Sequence, residues 1–192
     1  MPVQIGAAAH SFSDPTGLLS DCHRRIEMFL GSLGAIAKVI DSPLTDETRR
    51  ALDFALRYFR EAAPKHNADE EESLFPRLRQ LRHPDVQSAL ARLDELENDH
   101  RWAAPLHAEV EILGQRYLSK GSLSAGEAEE FREAVAKLTS MYQQHISVED
   151  DVVFPLAAQL LSKAERAAIA DEMASRRKVG LVTEIPRARA KK

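Results

Sequence analysis

The chain has 192 residues, a formal net charge of -4, 44% hydrophobic and 29% charged residues, and one cysteine. That composition fits a soluble globular protein with one compact core, and Cys22 alone excludes an internal disulfide and fits a reducing, cytoplasmic setting. No apolar run reaches the roughly 18 residues that span a bilayer and no signal-peptide pattern opens the chain, so a membrane role is not expected.

Apolar periodicity is helical almost throughout, without the alternation of strands, so an all-α chain is expected. Asp14-Pro15 is a cap and first-turn signal for helix 1, about 15–40, which ends at Ser42-Pro43. Helix 2 opens at Thr45-Asp46, turns Leu52, Leu56, Phe59, Leu78 and Leu81 inward, is expected to kink at Pro64 and Pro76, and stops at His83-Pro84. Helix 3 runs from about 85 to 118 with a kink at Pro105. Ser124 and Glu127 form a capping box for helix 4, whose stripe includes Phe131, Leu138, Tyr142, Val152 and Leu156. Ser162 with Glu165 caps a short fifth helix to about Arg177. Short loops between long helices predict an up-down-up-down four-helix bundle with this fifth helix appended. One domain over 1–178 then leaves a tail at 179–192. Residues 176–192 hold seven Arg and Lys against one Glu, read as a solvated, mobile terminus. It lacks interleaved aromatics, so nucleic acid is not an expected partner.

Two stretches 79 residues apart carry one pattern: His66, Glu70, Glu71, Phe75, Pro76 and then His145, Glu149, Asp150, Phe154, Pro155. Residues four apart on a helix share a face, so each His-Glu pair is a two-ligand clamp. His23 on helix 1 and His100 on helix 3 also interrupt apolar stripes. Counted from the connecting turns at about 1.5 Å per residue, all four histidines fall within roughly 6 Å of one level. Buried carboxylates need a cation, and four imidazoles with two carboxylates suit a borderline divalent metal such as iron. In the acidic run around Glu70, Asp69 and Glu72 are expected to point away to solvent.

At these residues the chain resembles the hemerythrin-like, or HHE cation-binding, family over about residues 12–178. The resemblance implies a four-helix bundle around two iron ions, oxo- or hydroxo-bridged, with other divalent metals as substitutes. His23, His66, His100 and His145 become terminal ligands by this likeness, and Glu70 and Glu149 bridging carboxylates. Oxygen-carrying hemerythrins have a fifth histidine one turn along helix 3, where this chain has Ala104. His107, two turns from His100, is a substitute ligand or else a core residue near the site. About two of roughly twelve iron positions then stay open, which favours sensing, iron handling or redox chemistry over reversible oxygen transport.

The expected function is a non-enzymatic di-iron protein that binds or senses O2, NO or iron. The alternatives are a peroxidase-like or oxygen-reducing enzyme taking peroxide, and an interaction bundle with a structural metal. Tyr142, one turn before His145, is read as core packing or as a hydrogen-bond donor near the metal. Cys22 is read as a buried, inert thiol, and His10 and His83 are given no role. The sequence leaves the oligomeric state open.

Overall fold

A computed structural model describes residues 10–178 of the chain, so the basic tail at 179–192 lies outside the described residues. Among the described residues every regular element is helical. In chain order these are α1 (Pro15–Val39), α2 (Asp46–Glu61), α3 (Ala63–Ala68), a first π-helical turn (Asp69–Leu74), α4 (Phe75–Gln80), α5 (Pro84–Lys120), α6 (Ala125–Val148), a second π-helical turn (Glu149–Val153), α7 (Phe154–Leu160) and α8 (Lys163–Arg176). None of these helices is long and apolar enough to cross a membrane.

The helix starts follow local chemistry. Asp14 accepts from the Gly17 amide with Pro15 in the first turn, and Thr45 accepts from the Thr48 amide. Complete capping boxes, Ser124 with Glu127 and Ser162 with Glu165, open α6 and α8. His83 also acts locally, since its Nδ1 accepts from the Asp85 amide 3.3 Å away and caps α5. Gly121 ends α5 at φ +79°, a left-handed conformation that glycine adopts without steric penalty.

The prolines occupy three different settings. Pro64 lies in the first turn of α3, and α2 has already ended at Ala62. Pro105 lies inside α5 without ending it. Pro76 and Pro155 follow the two π-turns, where the Phe75 amide reaches back five residues to the Glu70 carbonyl and the Phe154 amide to that of Glu149. An extra residue in one turn rotates everything downstream by about 100°. This corrects the predicted helix 4 stripe: Val152 is 46% exposed and Leu156 half-buried, whereas Val153 and Ala157 are fully buried.

Contacts run α1 to α2, α2 to α5, α5 to α6 and α6 back to α1, closing a ring. Gly114 on α5 lies so close to α2 that a Cβ there would meet a Leu56 methyl at 2.8 Å. The core divides into two apolar clusters. One contains Ile26, Leu33, Leu56, Leu113, Phe131 and Leu138. The other contains Leu19, Leu74, Phe75, Leu96, Phe154 and Met173, the last from α8. Along α1, His23 lies between Leu19 of the second cluster and Ile26 of the first; along α5, His100 lies between Leu96 and Ala103. A polar layer therefore sits between two dry ones.

Candidate metal centre

Six residues fill that layer, and each is buried: His23 from α1, His66 from α3, Glu70 from the first π-turn, His100 from α5, His145 from α6 and Glu149 from the second π-turn. They form two overlapping groups. Ligand atoms of His23, His66, Glu70 and Glu149 lie within 4.8 Å of one another, and so do those of His100, His145, Glu70 and Glu149. Both carboxylates belong to both groups.

All four imidazoles point Nε2 at these carboxylates. His66 lies 3.1 Å from Glu70, His23 3.0 Å from Glu149, His145 3.2 Å from Glu149 and His100 3.7 Å from Glu70. The approaches are close but poorly aligned for hydrogen bonding, so all four carboxylate oxygens and His23 Nε2 are buried without a hydrogen-bond partner among the described residues. His100 Nε2 also lies 3.1 Å from His145 Nε2. Both rings have Nδ1 against a carboxylate, so two lone pairs face each other unless a cation or proton separates them.

The electrostatics of these side chains show the same shortage of positive charge. Burial and the charge of Glu149 push the Glu70 carboxyl well above its usual range. Burial acts on Glu149 in the same direction, but His145 and His23 outweigh it and hold that carboxyl low. Burial pulls His23 down, yet Asp150 and Glu149 overcome it and raise the ring; burial is likewise overcome at His145 by Glu149 and Asp99. Burial and neighbouring imidazoles lower His66 and His100. A divalent cation between these groups would satisfy the orphaned oxygens and let every imidazole be neutral. The nitrogen and carboxylate donor set therefore fits two borderline metals such as iron.

A second tier of carboxylates grips the outer ring nitrogens. Asp150 lies 2.9 Å from His23 Nδ1, Glu71 2.7 Å from His100 Nδ1 and Asp99 3.2 Å from His145 Nδ1. Asp150 also accepts from Ser20 at 2.8 Å and from Arg24. An Nδ1–H donated outward fixes each ring and aims the Nε2 lone pair inward. Sequence reasoning gave none of the three a role, although Glu71 and Asp150 occupy one place in the repeat.

Neither residue placed near the site belongs to the six. His107 Nε2 lies 3.0 Å from the Tyr142 hydroxyl, and the Tyr142 ring meets His145 edge-on at 6.0 Å. His107 rests on Phe59 and lines a cavity of about 180 Å³ with Leu56 and Val110, where burial pushes it down to about 4. Burial raises the Tyr142 hydroxyl above its usual range. Ala104 is exposed, and the inward neighbour of His100 on this turn is the buried Ala103, which has no ligand atom to offer.

Two acidic-run and tail expectations need correction. Asp69 points away from the centre but is fully buried under α8, with Arg176 at 2.9 Å and Arg177 at 2.5 Å. Arg176 also reaches Glu72 at 3.0 Å. Arg176 and Arg177, which begin the basic run expected to be solvated, instead hold the π-turn that carries Glu70. Cys22 is buried as expected, 3.2 Å from the Arg25 guanidinium.

An uncharacterized protein of Haemophilus influenzae (strain ATCC 51907 / DSM 11121 / KW20 / Rd) is 25% identical over 170 residues, spanning 88% of this chain and 93% of that one. The hemerythrin HHE cation binding domain matches residues 14–157, which include all six residues of the buried layer. With that match over most of its length, the chain belongs to the hemerythrin HHE cation-binding domain family.

Proposed function

We propose that the chain holds a dinuclear non-haem iron centre and uses it to bind or sense a small ligand, O2 or NO, or iron itself. His23 and His66 would hold one ion and His100 and His145 the other, with Glu70 and Glu149 shared between the two groups. The observation that carries this reading is that both buried carboxylates are common to both four-residue groups. The scaffold is an up-down-up-down bundle of α1, the 46–80 segment, α5 and the 125–160 segment. The ring of contacts and the short turns between these segments support it.

When bound, iron would supply open coordination positions and redox chemistry. The chain's own groups do the rest. Asp150, Glu71 and Asp99 accept Nδ1–H protons and keep three Nε2 lone pairs aimed inward. The apolar clusters above and below exclude water, which strengthens every charge interaction in the layer. Tyr142 presents a protonated hydroxyl beside His145, held by His107. With only four imidazoles and two shared carboxylates as donors, a pair of ions held here would keep positions for an exogenous ligand, in keeping with sensing or iron handling.

Metal analysis of the full chain, repeated on His66→Ala and Glu149→Ala, tests the reading. Two irons per chain are expected in the wild type and fewer in both variants; two irons retained by both variants would refute the assignment. Anaerobic NO titration of the iron-loaded protein should give a saturable visible spectrum. Turnover of peroxide with a reductant would move the protein to an enzymatic role.

A further inference from the structure

The two halves of the centre correspond residue by residue. His23 matches His100, and His66, Glu70 and Glu71 match His145, Glu149 and Asp150. The outer hydrogen bonds obey the same exchange: Asp150 of the second half holds His23 of the first, and Glu71 of the first half holds His100 of the second. In the second half, Asp99, which precedes His100, holds His145. By the same correspondence the residue preceding His23 should hold His66. That residue is Cys22.

The structure bears the mark of this exchange. His66 Nδ1 is buried with no hydrogen-bond partner among the described residues, whereas the other three histidines of the layer each have a carboxylate there. Neighbouring groups do not fill the gap. Asp21 is turned to His10, accepting from its backbone amide at 2.8 Å, and the Asn67 side-chain oxygen is itself buried and unpaired. His66 is left to be oriented by packing, chiefly by an edge-on contact with His23 at 4.9 Å between centroids.

A carboxylate on the outer nitrogen selects the tautomer, fixes the ring plane and makes the inner nitrogen more basic; losing it typically weakens metal binding 10- to 100-fold. We infer that the two metal positions are inequivalent: the one built on His23 and His66 holds its ion more weakly and exchanges it faster than the one built on His100 and His145, and Cys22 sets the difference. This rests on the dinuclear reading above. It gives the centre a firmly held ion and an exchangeable one, an arrangement suited to responding to iron supply.

Ferrous iron is the probe. The full chain is loaded anaerobically, its metal content at saturation is measured, and release into excess chelator is followed. Two ions per chain should leave in two phases, about 10- to 100-fold apart in rate. Cys22→Asp should slow the fast phase by a similar factor and leave the slow phase unchanged; Arg25, 3.2 Å from the Cys22 sulfur, offers the new carboxylate a counter-charge. Asp99→Cys carries the break into the second half, at a partly exposed position, and should speed the slow phase. If Cys22→Asp does not fold, Asp99→Cys decides. Two ions leaving at one rate, or a slow phase that Asp99→Cys does not move, would overturn the asymmetry alone. Fewer than two ions at saturation would overturn the dinuclear reading itself.

Discussion

Replacing His107 with phenylalanine should remove a definite part of the protein's acid sensitivity. The ring lies 4.8 Å from Phe59 between centroids, lines a cavity with Leu56, Val110, Arg60 and Glu111, and among the described residues hydrogen-bonds with the Tyr142 hydroxyl. Burial lowers its pKa from 6.5 to about 4. The unfolded chain therefore binds a proton on His107 between about pH 6.5 and 4 while the folded chain does not. Stability from this residue is complete above the unfolded value and is lost as pH falls toward the folded one. At 1.36 kcal/mol per pH unit, the interval from 6.5 to about 4 corresponds to at most about 3 kcal/mol. His107→Phe forfeits the Tyr142 hydrogen bond, about 1 kcal/mol at every pH, but carries no titration. Urea unfolding of both proteins from pH 7 to 4, with chelator present in each, isolates the difference. The variant should be less stable at pH 7 and gain on the wild type by about 2–3 kcal/mol by pH 4. Parallel stability curves across this window would show that His107 is not held neutral in the fold.

Three further outcomes follow from the geometry. Asp69→Ala leaves Arg176 and Arg177 without their buried partner and should lower unfolding free energy by about 3–5 kcal/mol, read from the urea midpoint; a loss below about 1 kcal/mol would mean that Ile169, Met173 and the Arg176–Glu72 and Arg77–Glu172 pairs suffice to hold α8. Gly121→Ala forces an L side chain into φ +79° and should cost about 1 kcal/mol, with helix content unchanged by circular dichroism. Ferrous iron at 100 times the weaker position's dissociation constant should stabilise the metal-free chain by at least about 2.7 kcal/mol per site in thermal unfolding, and Glu70→Ala should abolish most of that gain.

Much of this molecule is written locally. Asp14-Pro15, Thr45 and the two Ser-Glu capping boxes mark helix starts because a cap is satisfied within three or four residues of itself. The four histidines and two glutamates were legible because each interrupts an apolar stripe that is itself a local pattern, and because short turns set their depth along the bundle. The family likeness rests on the same residues. Other features had to wait for the folded chain, since their partners are far away in sequence. The fate of Asp69 depends on arginines more than a hundred residues later. The carboxylates on His23, His100 and His145 come from other helices. The second π-turn puts Val153 inward and Val152 outward, a register shift that the apolar stripe does not announce. Sequence alone determined which side chains converge at one level; tertiary packing decided how each is held, because orientation depends on neighbours that only the closed bundle brings within hydrogen-bond reach.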